Sequence, residues 1–331
     1  MTEQLTQTKS FCNLLAIEKG VDPVGSAGNF EDALVVEMPL PWKYSFKEMD
    51  LPEEIVTLLE LWLKRYQETG VYGHRPLLIA PDADYSKDGF RRVMFFSTPQ
   101  GLFSEYPKTE YLVPIDKMGA LIWAWYETPE NLPQYEDYRQ TENDSVRDIL
   151  VCTHGAVDVA CAKFGYPLYK HLRDNVAVSD TRIWRVSHFG GHLYAPTLMD
   201  MPKGDYWAYV DNNIGEQIVR REGDVQDLYN HYRGWSGLKM GFLQALERVC
   251  LIREGWQWQA LTKRGEILKI DDSDEPQWAD VRLSYMTPNN ILRSYQAHVR
   301  IKQMIMSNPS SNDERQYPYP QYVVNEIEHL T

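Results

Sequence analysis

The chain is poor in cysteine, with four in 331 residues: Cys12, Cys152, Cys161 and Cys250. That is too few for a disulfide framework in a chain this long, so the thiols are expected to be metal ligands, redox groups or core filler. No apolar run approaches the roughly 20 residues that cross a bilayer. Met1 to Ser10 is polar and lacks the apolar stretch of a secretory signal. The expectation is a soluble cytoplasmic protein without a membrane partner. Positive charge is also short: 34 Lys and Arg against 47 Asp and Glu leave a net charge of −13. This argues against a nucleic-acid partner, which calls for a basic face. An acidic surface keeps a protein in solution and also suits a basic protein partner. No G-x-G-x-x-G follows a strand, so the chain is not expected to oxidise a dinucleotide itself. No C-x-x-C marks a dithiol site. No pair of carboxylates stands out as a glycosidase acid and base.

What is present is an ordinary globular balance, 43% apolar and 24% charged, with length for two domains or a little more. The patterning predicts a strand over 33–39, then an amphipathic helix over 51–70. Ile55, Leu58, Leu59, Trp62 and Leu63 share one face of that helix, and Gly70 is its stop. Strands follow at 76–80, 92–96 and 111–113, then a polar linker or surface loop over 127–145. A second unit opens with a strand over 148–151 running into Cys152. It continues with a helix over 162–173 around Pro167, a strand over 182–186 running into His188, and a strand over 206–210. The two halves share this order, as a duplicated α/β fold would. From Gly237 the reading is a helix to about Arg253, strands at 256–259 and 278–285, and a mobile tail from Met304. The expected class is α/β: two thioredoxin-like units, 1–145 and 146–236, and an α+β extension over 237–331, with ligands only in the second unit.

The chemistry concentrates in Cys152-Thr-His-Gly-Ala-Val-Asp-Val-Ala-Cys161 and His188-Phe-Gly-Gly-His192, separated by 26 residues. Two thiols are expected on one loop and two imidazoles on another, each after a strand, at the sheet edge where α/β folds place ligands. Gly190 and Gly191 open backbone angles that let both histidines turn toward one group, and Gly155 is expected to serve the cysteine loop similarly. Thiolate and imidazole suit zinc and iron–sulfur clusters alike. Eight residues between the cysteines exceed the usual zinc-knuckle spacing and favour a larger object. Thr153, His154 and Asp158 beside the thiols, and Ser187 and Tyr194 beside the imidazoles, are candidates to donate to a sulfur or orient a ring; capping and loop roles compete with that. Lys163, Lys170 and Arg173 read as a solvated helix face or as a basic surface for an acidic electron donor. Cys12 and Cys250 read as buried filler. His74, His171, His231, His298 and His329 show no ligand pattern.

With its C-x8-C and H-x-G-G-H, the chain resembles the sucrase/ferredoxin-like family. Cys12, Asp22-Pro23, Gly25-Ser-Ala-Gly28, Val36-Glu37 through Pro41-Trp42, and Tyr232-Arg-Gly-Trp235 extend the resemblance over roughly residues 10–240. It implies a thioredoxin-like ferredoxin with a [2Fe-2S] cluster, Cys152 and Cys161 on one iron, His188 and His192 on the other. No sugar site supports the first half of the family's name. Two thiolates and two neutral imidazoles leave the oxidised cluster neutral, so its potential is expected above that of an all-cysteine cluster. The free ring nitrogens would couple reduction to protonation; a potential flat between about pH 6 and 10 would refute that. The implied function is electron transfer, with a reductase- or ferredoxin-type protein as donor and a further acceptor. The rivals are a structural zinc module, a thiol oxidoreductase and a redox sensor.

Overall fold

The computed structural model describes residues 11–70, 73–178 and 180–330; the polar opening of the chain, 1–10, lies outside the described residues. After α1 (Cys12–Glu18), the first unit comprises β1 (Asp32–Glu37), α2 (Glu53–Thr69), β2 (His74–Ile79), β3 (Phe90–Ser97), β4 (Lys108–Pro114) and α3 (Met118–Tyr126). In α2, Ile55, Leu58 and Trp62 are buried, one turn apart, and Gly70 ends the helix in the left-handed region at φ 69°. The second unit comprises β5 (Arg147–Cys152), α4 (Val159–Asn175), β6 (Thr181–Val186), β7 (Leu198–Met201), β8 (Asp205–Trp207), α5 (Asn212–Arg220) and β9 (Tyr232–Trp235).

Both units contribute to one nine-stranded sheet, ordered β4-β3-β1-β2-β6-β5-β7-β8-β9. In the first, β1 and β2 are parallel across a helix, β3 runs antiparallel to β1, and β4 antiparallel to β3. In the second, β5 and β6 are parallel across α4, with β7 antiparallel to β5 and β8 to β7. The α/β class is therefore present, and the two quartets share one topology. The counterpart of β3 is β7, not the strand expected at 206–210. β7 is only four residues, Leu-Met-Asp-Met, all buried, and gives no alternation to read. The units join where β2 and β6 cross antiparallel at their last residues, Ile79 opposite Val186.

The extension comprises α6 (Gly241–Glu254) and a four-stranded antiparallel sheet of β10 (Lys263–Ile270), β11 (Trp278–Met286), β12 (Leu292–Ser307) and β13 (Tyr317–Leu330). Two expectations fail here. Residues 256–259 form a 3-10 turn with Trp258 buried, not a strand. The polar, Pro-rich stretch from Met304, expected to end in a short tail without strands, forms much of the long hairpin β12–β13, paired from Ser294–Leu330 to Ser307–Tyr317. The polar stretch after Tyr126 is likewise built: it coils as a 3-10 segment, Pro129–Tyr138, with Tyr135 buried. One apolar core cluster runs from β1 and β2 through β5 and β6 to β11 and β12, with Trp184, Trp207, Trp235 and Trp258 fully enclosed.

Candidate metal centre

Because β5 and β6 are parallel and in register, Cys152 opposite Val186, the chain leaves both strands at one edge of the sheet. Cys152 is the last residue of β5. Cys161 does not lie on the same loop, as the sequence had suggested. It sits in the first turn of α4, because Asp158 caps the helix earlier than expected: its Oδ1 accepts from the Ala160 N–H at 2.8 Å. Gly165, four residues on, lets that helix descend onto the strand: a Cβ there would lie 2.0 Å from the Cys152 carbonyl oxygen. Gly155 is also a matter of close approach, since a Cβ would meet the Ala162 side chain at 2.8 Å.

After β6, Ser187 pairs with the first unit: its N–H donates to the Leu78 carbonyl at 2.8 Å and its Oγ accepts from the Leu78 N–H at 2.9 Å. Between the two histidines Phe189 turns into the core, edge-on to Tyr206, and pins the loop. Gly190 and Gly191 take φ of 98° and 79°, which ordinary residues rarely adopt. The chain thereby returns His192 beside His188, ring centroids 5.1 Å apart.

Both thiols are free and buried. His188 Nδ1 lies 3.8 Å from Cys152 Sγ and 3.7 Å from Cys161 Sγ. These three donors all fall within 4.8 Å of one another; His192 stands outside that triangle. Its Nδ1 is buried without a hydrogen-bond partner. The two neighbouring thiols shift in opposite directions: Cys161 and then His188 hold Cys152 well below the usual thiol range against burial, while Cys152 and burial push Cys161 up. Burial, then the neighbouring His188, favours neutral His192. Two adjacent buried cysteines and an imidazole with a buried nitrogen that lacks a partner are what a soft cation binds, displacing protons where they are present.

His154 braces the site through the backbone. Its Nδ1 accepts from the His188 N–H at 3.2 Å, so the proton is on Nε2, which donates to the Lys43 carbonyl at 3.0 Å. Burial lowers its pKa and keeps it neutral. Thr153 Oγ1 accepts from Arg185 Nε at 3.4 Å. Asp158 ties the extension to the centre: Ser311, in the β12–β13 turn, donates its N–H and Oγ to the carboxylate at 2.8 and 2.6 Å. Cys12 joins the same cluster, its thiol 3.9 Å from Asp158, and burial pushes it up to about 11. Tyr194 packs against Arg233, Tyr209 and Tyr319. The remaining histidines are engaged elsewhere, His74 with Asp32, His171 with Glu216, His231 with the Ala208 carbonyl, His298 with Asp280 and His329 with Tyr285. On α4, Lys170 pairs with Asp174, and Arg173 with Asp82 and Asp84. Sequence reasoning missed Gly165 and Ser311. The i, i+4 spacing of Cys161 and Gly165 was the one available signal.

A family model described as sucrase/ferredoxin-like matches residues 23–234. The chain belongs to the sucrase/ferredoxin-like family. The matched span contains Cys152, Cys161, His188 and His192 and ends inside β9, so the extension lies beyond the family's common part. Comparisons with curated proteins and with solved structures give no match.

Proposed function

We propose that this protein is an electron carrier whose centre is a [2Fe-2S] cluster, with Cys152 and Cys161 on one iron and His188 and His192 on the other. The observation that carries this reading is the convergence of two buried thiols and two imidazoles at one sheet edge, one imidazole holding a buried nitrogen without a partner. The donor set fits the group in number, softness and charge, and the family's name points the same way. When bound, such a group supplies one-electron transfer. The chain supplies the rest. The Asp158 cap and the close packing at Gly165 fix Cys161 against Cys152. Phe189 and the two glycines present the imidazoles, and His154 holds the backbone of His188. The ring nitrogens not bound to iron would exchange protons with solvent, so reduction is expected to depend on pH. The donor is expected to be a reductase- or ferredoxin-type protein, because no dinucleotide fingerprint is present. Reduced, metal-binding thiols suit the cytoplasm; among the described residues no helix is long and apolar enough to cross a membrane.

One observation favours a second reading. A tetrahedral zinc ion with Zn–S near 2.3 Å and Zn–N near 2.0 Å would place its S and N donors about 3.5 Å apart. His188 Nδ1 stands 3.7 and 3.8 Å from the two sulfurs. The deciding experiment is iron, sulfide and zinc analysis of protein purified without oxygen, with visible absorption and low-temperature EPR before and after dithionite. Stoichiometric iron and sulfide, visible bands that bleach, and a rhombic signal averaging between all-cysteine and Rieske values support the cluster. A colourless, EPR-silent protein with one zinc per chain refutes it.

A further inference from the structure

Four arginines are deeply buried: Arg92, Arg182, Arg233 and Arg248. Three of them meet carboxylates, Arg92 with Glu110, Arg182 with Glu110 and Asp148, and Arg248 with Asp22. Arg233, in β9, is the exception. It is 2% exposed, and among the described residues it has no carboxylate partner. Its Nε donates to Ser26 Oγ at 3.0 Å, one Nη to the Ser26 carbonyl at 2.7 Å, and the other Nη to the Gly190 carbonyl at 3.0 Å. Its planar head lies near the rings of Tyr194 and Tyr206, at 5.1 and 5.3 Å.

A buried, unpaired guanidinium costs several kcal/mol unless something nearby offsets its charge. Carbonyl dipoles and π faces offset part of that cost. What lies on its far side is the histidine loop. Gly190 accepts from Arg233, and a Cβ on Gly191 would come within 2.6 Å of its Nη2. The guanidinium therefore fills the space behind the turn that sets the angle between His188 and His192. The second glycine of H-x-G-G-H thus serves two needs, a φ of 79° and room for Arg233.

We propose that Arg233 is a positioning residue for the metal centre: it clamps the His188–His192 loop through Gly190 and places a fixed positive charge behind it. This rests on the cluster reading for its electrostatic half and on any metal held by these histidines for its geometric half. The sign follows from charge. Below the pH at which the ring nitrogens lose protons, reduction takes up no proton and a neutral oxidised site becomes negative, so a buried cation nearby favours the reduced state and raises the potential. Ser26 belongs to the same clamp and ties the segment before β1 to the loop, 207 positions along from Arg233.

The test compares wild type with Arg233→Gln, Arg233→Lys and Ser26→Ala as full-length protein purified without oxygen. The readouts are folding by circular dichroism, metal content, EPR g-values and midpoint potential. Arg233→Gln is expected to lower the potential and shift the g-values. Arg233→Lys, which keeps the charge and loses the fork, is expected to shift the g-values with a smaller change in potential. An Arg233→Gln protein with wild-type potential and spectrum overturns the proposal. If Arg233→Gln does not fold, Ser26→Ala decides, since it removes one of three hydrogen bonds; unchanged g-values and potential there overturn the proposal. Wild type that holds zinc instead of iron refutes the cluster but not the clamp. Zinc release to a chelator is then expected to be about tenfold faster in Arg233→Gln, and equal rates overturn the clamp. Wild type that binds no metal overturns both.

Discussion

Replacing Gly165 with alanine sets two effects of opposite sign against each other. Gly165 is inside α4, where alanine improves helix propensity by about 1 kcal/mol. The added Cβ would, however, lie 2.0 Å from the Cys152 carbonyl oxygen and 3.1 Å from its carbon. An ordinary carbon–oxygen contact needs about 3.3 Å, so α4 must retreat by roughly 1.3 Å at this point. The obstacle is strand backbone and cannot swing aside as a long side chain would. Overpacking of this kind costs about 1–3 kcal/mol or more, so packing wins over propensity. The shift falls on the site, because Cys161 sits four residues earlier on the same helix. Moving it opens the triangle in which both sulfurs lie 3.7–3.8 Å from His188 Nδ1. Gly165→Ala is therefore expected to lower the melting temperature by several degrees and bring metal content below half of wild type. Lys163→Ala, on the exposed side of α4, should change neither. A Gly165→Ala protein that melts with wild type and carries full metal would refute the close-packing account of how the two thiols meet.

Three further outcomes follow from buried charge and from the ligands. Asp148, fully buried, is held at about 2: burial acts upward as the largest influence, and Arg182 and Lys108 together outweigh it. Its folded value lies below its unfolded one, so its stabilisation is complete above about pH 4 and is lost as pH falls toward 2; Asp148→Asn should cost about 3–5 kcal/mol in urea unfolding at neutral pH by stranding buried cations. Glu247 is pushed up to about 7 by burial, against the pull of Lys263. The folded state then binds its proton more tightly than the unfolded chain, so stability is present below about pH 4.5 and declines as pH rises through 7; Glu247→Gln should flatten melting temperature between about pH 5 and 8, and an unchanged slope would show that another group sets it. His192→Ala and Cys161→Ser should each abolish stoichiometric metal, read by elemental analysis; losing His192 strands no partner of its Nδ1, which makes no hydrogen bond.

The four candidate positions stand out because each pair follows an apolar β-branched run, Ile-Leu-Val before Cys152 and Ile-Trp-Arg-Val before His188. Two parallel strands bring their ends to the same edge, so locating the strands located the place where Cys152, Cys161 and His188 meet. The sequence alone left Asp158 between a cap and a donor to sulfur; in the structure it caps α4 through the Ala160 N–H, so the helix starts at Val159, three residues before the expected 162. The final hairpin was hidden by its prolines. Pro318 and Pro320 face Met306 and Met304 in β13, the outermost strand of its sheet, where a missing N–H breaks no ladder on the open side. Trp256 to Gln259 alternates like a strand, but four residues cannot separate that period from a tight turn. The contacts of Arg233 join residues 43 and 207 positions apart, a relation no local pattern carries.

The repeated topology explains why a unit without ligands borders the centre. The last register pair of β1 and β2 is Glu37 with Ile79, as Cys152 with Val186 is the last pair of β5 and β6. The place of the first thiol is thus taken in the first unit by a carboxyl, 1% exposed, whose pKa burial raises. An acid there is a hard donor without the softness an iron–sulfur core requires, so the first edge is closed to this chemistry. Its contribution is mechanical. β2 meets β6 only at the strand tips, so Leu78 clasps Ser187 one residue before His188, and the Lys43 carbonyl fixes the tautomer of His154 that holds the His188 backbone. From the opposite side Ser311 of the extension closes on Asp158, the cap of the helix that carries Cys161. A thiol at a strand end, a thiol in the first turn of a helix and an imidazole pair on a loop would each have freedom to drift. Here these segments are tied by hydrogen bonds to parts of the chain outside the unit that bears the candidate ligands, and that is the condition under which a site assembled from distant segments keeps one geometry.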